Sequence, residues 1–289
     1  MPEASLRWLL GWLIAAALSM AHAGVVQDDR GQSVVVDVPA RRIVSLLPSL
    51  TETVCVLGAC DRLIGVDRYS NWPERVQTLP KLGGGLDPDL EAIVALRPDV
   101  VLMATSARGA DRLQALGLRV LRLEPQNWRD VRRTLAVLSQ LLGLPASRSD
   151  AVWQSLEREV ARVAQSLPAA ARTQRVYIEV STVPHGASAA SFMGETLERL
   201  GPRNILGAEL GPFPHINPEW VVREQPDVII AADTHVSSLL ARPGWSQLRA
   251  VREQRLCTYT EAESDVLVRP GPRMAEAARL MARCFGAAR

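Results

Sequence analysis

A ten-residue pattern occurs twice in the chain and constrains its fold more than any other feature of the sequence. One copy runs from Glu91 to Val100 and the other from Glu219 to Val228, 128 positions later and without a gap. In both copies Glu opens a short helix, and Pro ends it because the residue before proline avoids the α region. An Asp then leads into an apolar strand. The repetition predicts two α/β lobes related by pseudo-symmetry.

The glutamate at the start of each repeat has two interpretations. Helix, Pro, Asp and strand together turn an αβ corner, and that corner does not require Glu91 or Glu219. A carboxylate in the first turn does suit the helix dipole, so both residues can be explained as helix-opening residues. Alternatively, each lobe exposes one acidic group at an equivalent place for a partner.

Composition limits the classes of function that the chain can have. With 289 residues, of which 47% are hydrophobic, it can bury the core of one large domain or two medium-sized ones. A formal net charge of +2 gives no electrostatic argument for nucleic acid as a partner. The sequence has no G-x-S-x-G, P-loop or H-E-x-x-H motif, so we predict no catalytic residues, and an exported α/β enzyme is the remote alternative.

Residues 1–23 have the features of a secretory signal peptide. Arg7 precedes an apolar run over residues 8–18, and an Ala-His-Ala cleavage site ends at Ala23. The run is too short to span a membrane. We expect a mature chain that begins near Gly24 and is exported to the periplasm.

Export to an oxidising compartment favours disulfide bonds among the four cysteines. The favoured pairs are Cys257 with Cys284 and Cys55 with Cys60, because each pair lies within one lobe. Free buried thiols stay open as the alternative for Cys55 and Cys60. The spacing does not resemble that of a zinc site, and we predict no metal site and no cofactor.

Apolar runs alternate with amphipathic helical segments on both sides of the chain's middle, which is typical of mainly parallel sheets with covered faces. The predicted lobes are residues 24–145 and residues 169–289. In the first lobe, Ser49 and Glu52 have the spacing of a capping box at a helix start. In the second lobe, residues 261–272 are predicted to form a loop before the C-terminal helix.

Residues 146–168 are predicted to form one long helix between the lobes. Val152, Leu156 and Val160 fall on one face of this helix, and Pro168 ends it. A helix of this length spans about 30 Å, the width of a small domain. It is therefore predicted to be a stiff connector, with an ordinary surface helix of a single sheet as the alternative.

Several motifs, in chain order, resemble one known family. They are residues 42–52 (RIVSLLPSLTE), 57–58 (LG), 61–66 (DRLIGV) and 69–73 (YSNWP). These motifs resemble the first lobe of periplasmic binding proteins for cobalamin, ferric siderophores and haem. Within that family, the YSNWP stretch most resembles the cobalamin-binding proteins.

The resemblance implies a class III periplasmic binding protein: two Rossmann-like α/β lobes joined by a single long helix, with little hinge motion. It implies a monomer that binds its ligand between the lobes and delivers it to the permease dimer of an ABC importer in the inner membrane. By the same resemblance, Glu91 and Glu219 pair with arginines on the two permease subunits.

The resemblance also implies a set of ligand contacts. They are Tyr69, Trp72, Gly84, Phe213, Asp265 and Arg269. Aromatic walls with a few polar groups suit a large flat macrocycle, so cobalamin or a related corrinoid is the expected ligand, with a ferric siderophore or haem as the alternative. The chain departs from the cobalamin binders at residues 83–85, where three glycines replace a tryptophan.

Overall fold

The structure, a computed structural model, describes residues 22–286. It contains two four-stranded parallel sheets and one two-stranded antiparallel hairpin. The predicted signal peptide lies almost wholly outside the described residues. Within the described range, none of the helices combines the length and the hydrophobicity that a membrane span requires.

The first half of the chain builds the hairpin and one sheet. Its strands are β1 (His22–Gln27), β2 (Ser33–Val38), β3 (Ile43–Ser45), β4 (Leu63–Val66), β5 (Val100–Met103) and β6 (Val120–Arg122). Its helices are α1 (Pro48–Val56), α2 (Leu90–Ala95), α3 (Ala110–Ala115) and α4 (Trp128–Leu141). The sheet has the order β4-β3-β5-β6, with β3 and β5 in the middle.

The second half begins with α5 (Ala146–Ser166) and builds the other sheet. Its strands are β7 (Arg175–Ile178), β8 (Arg203–Asn204), β9 (Val228–Ala232) and β10 (Leu256–Tyr259). Its remaining helices are α6 (Phe192–Leu200), α7 (Pro218–Glu224), α8 (Val236–Leu240), α9 (Arg249–Arg252), α10 (Glu261–Leu267) and α11 (Met274–Ala282). The sheet order is β10-β9-β7-β8.

The two sheets have the same topology. In each sheet the first strand along the chain, β3 or β7, lies between the second and the third, and the fourth strand lies outside the third. The repeated segments occupy equivalent places, because α2 precedes β5 and α7 precedes β9. The predicted arrangement of two α/β lobes is confirmed.

One apolar core continues through both lobes. Trp153, Leu156 and Val160 of α5 are buried in it, together with one face of each sheet. The opposite face of each sheet packs in a smaller cluster of its own, around Ile93 in the first lobe and Trp245 in the second. The lobes are therefore joined by packing as well as by the chain, while the predicted lobe limits of 24–145 and 169–289 stay a prediction.

Two local predictions are wrong. The capping box at Ser49 and Glu52 does not form, because Leu47 occupies the N-cap of α1 and both polar side chains are buried. The predicted loop over residues 261–272 contains helix α10, which begins with a capping box between Thr260 and Glu263. The T-x-x-E spacing of those two residues was the signal that could have predicted α10.

Two disulfide bonds close local loops. Cys55 near the end of α1 is bonded to Cys60 in the following turn. Cys257 in β10 is bonded to Cys284, just after α11, and so ties the last helix to the edge strand of its sheet. These are the pairs expected from the sequence.

We expect small-angle scattering profiles with and without a bound ligand such as cyanocobalamin to be nearly superimposable. Moving one lobe against the other would bend the 21-residue helix α5 and open the core that both lobes share. A clear drop in the radius of gyration on binding would contradict the stiff connection.

Candidate functional site

Loops that leave the carboxyl ends of the two sheets contact each other. The side-chain amide of Asn71, after β4, donates to Asp265 of the second lobe over 2.7 Å. The backbone N–H of Phe192 donates to the carbonyl of Gln126, after β6, also over 2.7 Å. The carboxyl edges of both sheets therefore face one boundary, the place where parallel α/β sheets bind ligands.

An exposed aromatic ring stands at this boundary. Tyr69 follows β4, and its side chain is 60% exposed. Gly84 lies against the ring, because a Cβ placed there would come within 3.2 Å of Tyr69 Cε2. The Arg68 guanidinium lies 5.9 Å from the ring centroid. A side chain at position 84 would therefore crowd the edge of the ring, which a glycine leaves free.

Buried polar groups fix the loop beneath that ring. Asp67 accepts the backbone N–H of Tyr69 over 3.1 Å and the hydroxyl of Ser70. The Ser70 hydroxyl also contacts Thr51 Oγ1 at 2.9 Å, and Thr51 in turn donates to Ser45. Burial raises the pKa of the Asp67 carboxyl, although these hydrogen bonds oppose the shift. The backbone of the loop that carries the ring is therefore preorganised.

Arg269 links the second lobe to the Tyr69 loop. Its side chain is 5% exposed and donates to Glu52 Oε1 over 2.9 Å, to Asn71 Oδ1 over 2.8 Å and to the carbonyl of Tyr69 over 3.0 Å. It also pairs with Asp265 at 2.7 Å. Because these protein groups occupy the guanidinium, we interpret Arg269 as a residue that holds the Tyr69 loop rather than as the predicted ligand contact.

Glu52 is the acidic partner in this link. It is 1% exposed, and burial raises the pKa of its carboxyl against the opposing effect of Arg269 and Arg273. Arg273 Nη1 lies 3.5 Å from Glu52 Oε1. Sequence reasoning missed this role because the spacing from Ser49 to Glu52 suggested a helix cap.

The remaining predicted ligand contacts are all partly buried. The half-buried Trp72 has the Arg273 guanidinium 4.9 Å from its ring centroid. Phe213 is half-buried and meets Phe192 edge-on, with the ring centroids 5.8 Å apart. Asp265 keeps 31% of its side chain exposed. Trp72 and Phe213 are thus partly used in packing, and the Asp265 carboxylate is partly used by Asn71 and Arg269.

Asp265 also lines a pocket of about 240 Å³ in the second lobe, at the carboxyl ends of β7, β9 and β10. Glu179, which directly follows β7, is 3% exposed in the pocket wall and paired with Arg242 at 2.9 Å. His235 also lines it, and among residues 22–286 its Nδ1 has no hydrogen-bond partner. Glu179 was not predicted from the sequence, and its place directly after a buried strand was the available signal.

The repeated glutamates are exposed on equivalent helices. Glu91 lies in the first turn of α2, which Asp89 caps, and Glu219 lies in the first turn of α7, which Asn217 caps. Each lobe therefore presents one carboxylate to solvent in the same structural context.

The chain matches one family model and several known proteins of related description. A family model described as periplasmic binding protein matches residues 43–263. The uncharacterized ABC transporter substrate-binding lipoprotein YvrC of Bacillus subtilis (strain 168) is 26% identical over 262 residues, which are 87% of this chain and 82% of that protein. The vitamin B12-binding protein of Yersinia pestis (strain Pestoides F) is 28% identical over 199 residues, which are 68% of this chain and 70% of that protein.

A solved structure agrees with the sequence matches. A periplasmic heme binding protein from Pseudomonas aeruginosa superimposes with a TM-score of 0.73 at 26% identity, covering 86% of this chain and 94% of that chain.

Proposed function

The chain belongs to the periplasmic binding protein family, and we propose that it captures a corrinoid, with cobalamin first, and delivers it to an ABC importer. The family consists of solute-binding proteins rather than enzymes, and its members work with a membrane permease complex. We propose that residues 1–23 direct export and are then cleaved off after Ala23, and that Glu91 and Glu219 contact the two permease subunits.

The observation that supports a corrinoid most directly is the exposed ring of Tyr69 against Gly84. A flat aromatic face on a loop whose backbone is held by hydrogen bonds suits a flat macrocycle, because the loop need not be ordered on binding. The tyrosine belongs to the YSNWP stretch, and a relative at 28% identity is a vitamin B12-binding protein.

Calorimetry is expected to detect heat from both cyanocobalamin and cobinamide. Changing Tyr69→Ala should raise the Kd about tenfold, because the ring's contact surface is lost. This corresponds to a loss of about 1–1.5 kcal/mol of binding free energy. Tyr69→Phe should keep most of the affinity, since the ring remains. Leu116→Ala is the matched control, because Leu116 is another exposed apolar residue, at the end of α3. Heat from haem or a ferric siderophore, and none from either corrinoid, would remove the corrinoid proposal.

Haem is the second candidate, favoured by the similarity to a heme binding protein at 26% identity. The exposed phenol of Tyr69 could serve as an axial iron ligand. Protein purified from its native host distinguishes the candidates by its absorption spectrum, because corrinoids, haem and ferric siderophores differ in colour. For haem, Tyr69→Phe should change the spectrum of the complex, whereas a corrinoid complex should be unaffected.

A further inference from the structure

A second pocket, of about 360 Å³, lies in the first lobe beyond the carboxyl ends of β5 and β6. Four arginines line it, together with one carboxylate. They are Arg30, Arg108, Arg112, Arg122 and Asp111. Like charges repel each other when they lie within the screening distance of about 8 Å at physiological salt, and a bound anion would reduce such repulsion.

Within residues 22–286, only one of the four arginines forms an ion pair. Asp111 pairs with Arg122. Arg30, Arg108 and Arg112 are exposed residues, and within residues 22–286 their guanidinium groups form no ion pair. Glu124 lies nearby, but its carboxylate accepts hydrogen bonds from Thr105 and Ser106. Burial opposes the ionisation of Glu124, yet these hydrogen bonds lower the pKa of its carboxyl. The hydrogen-bond donors of this carboxylate are thus Thr105 and Ser106 rather than the arginines.

Arg122 contributes a buried and fixed guanidinium group to the pocket wall. Its side chain is only 4% exposed, and the Nη2 group donates to Asp111 and, over 2.9 Å, to Gln114. Its Nε is buried and, in the part of the chain that the structure describes, has no hydrogen-bond partner. Arg122 therefore adds a fixed positive charge to the pocket wall, and an anion would complement that charge.

The pocket adjoins the aromatic surface of the candidate site. The backbone N–H of Arg108 donates to the carbonyl of Gly85 over 2.8 Å, and the Ala107 side chain lies beside the same glycine. Gly85 directly follows Gly84, beside which the ring of Tyr69 lies. One short backbone segment therefore separates the basic pocket from the ring.

We infer that this arginine pocket binds a carboxylate or phosphate group. Planar guanidinium groups match both anions in geometry and charge. The inference rests on the proposed function in one respect, because it assigns the carboxylate or phosphate to the ligand that covers Tyr69. Cyanocobalamin has a phosphodiester and haem has two propionates, whereas cobinamide has neither group. A free phosphate or carboxylate compound is the other source of the same chemistry.

Inorganic pyrophosphate is the probe for the pocket itself. We expect calorimetry at constant ionic strength to show binding that Arg108→Gln with Arg112→Gln weakens at least tenfold. The matched control is Arg75→Gln with Arg129→Gln, which removes the same charge from two exposed arginines of the same lobe outside the pocket. Equal pyrophosphate affinity in the two double variants, or no binding to the wild-type protein, would overturn the inference. Neither double variant alters the buried Arg122, so folding is retained in both.

The source of the anion is tested with the larger ligands on the same variants. If the ligand supplies the group, the pocket variant binds cyanocobalamin or haem at least tenfold more weakly than the control variant does, and pyrophosphate competes with that ligand. Cobinamide binding should then be unchanged. If the larger ligands are unaffected while pyrophosphate binding still depends on the pocket, a free anion is the occupant. If no corrinoid, haem or ferric siderophore binds the wild-type protein, the proposed function fails, and the pyrophosphate result still decides the pocket.

Discussion

Replacing Arg269→Met is expected to lower the free energy of unfolding by about 3–5 kcal/mol, the usual cost of breaking a buried ion pair from one side. The reason is Glu52, which is 1% exposed and would lose the nearer of its two guanidinium partners, leaving only Arg273 at 3.5 Å. The carbonyl of Tyr69 and the side chain of Asn71 would lose donors at the same time. Urea denaturation followed by circular dichroism measures this loss.

Two further variants separate the buried pair from ordinary charge effects. The double variant Glu52→Gln with Arg269→Met should recover much of the lost stability, because neither partner then leaves an uncompensated buried charge. Arg279→Met is the matched control, since Arg279 pairs with Glu159 at a half-exposed site and should cost at most about 1 kcal/mol. If Arg269→Met and Arg279→Met lower the free energy of unfolding equally, the buried inter-lobe pair stabilises the protein no more than an exposed pair does.

The architecture could be predicted because its signals are local and repeated. The two copies that begin at Glu91 and Glu219 supply equivalent helices before the third strand of each sheet. The apolar stripe of residues 146–168 predicts a helix that the structure places at Ala146–Ser166. Helix ends were harder, because an N-cap depends on neighbours in space. Ser49 and Glu52 have a capping spacing, yet burial against the second lobe determines their role.

The candidate site was only partly predictable, because its contacts join residues far apart in the chain. Glu52 and Arg269 are separated by 217 positions, and nothing in either local sequence indicates that they meet. Tyr69 and Asp265 were predicted from the family resemblance. A resemblance indicates positions, but it cannot distinguish an exposed side chain that can contact a ligand from a buried one that supports the structure. The four arginines around the first-lobe pocket come from three separate segments, so only the folded chain brings them together.

Replacing both Glu91 and Glu219 by alanine is expected to reduce transport sharply while leaving folding and ligand affinity nearly intact. Each residue is exposed in the first turn of a short helix, so its loss removes a favourable dipole contact of about 0.3–1 kcal/mol. If the two carboxylates pair with basic groups on the permease subunits, the double variant loses the charge pairs that align the protein on the permease. Uptake by reconstituted vesicles, ligand titration and thermal melting on the same variants measure the three effects.

The single variants and controls make this prediction specific. One alanine should weaken transport only in part, because the other lobe still docks, and reversal to arginine should be worse than alanine through like-charge repulsion. The matched control is Glu157→Ala with Glu253→Ala, which removes the same charge from exposed acids outside the repeats. Wild-type transport by the Glu91 and Glu219 double variant would mean that the repeated glutamates only open their helices. Loss of ligand binding in that variant would instead place them in the ligand site, and a similar transport defect in the control would indicate an effect of net charge rather than of position.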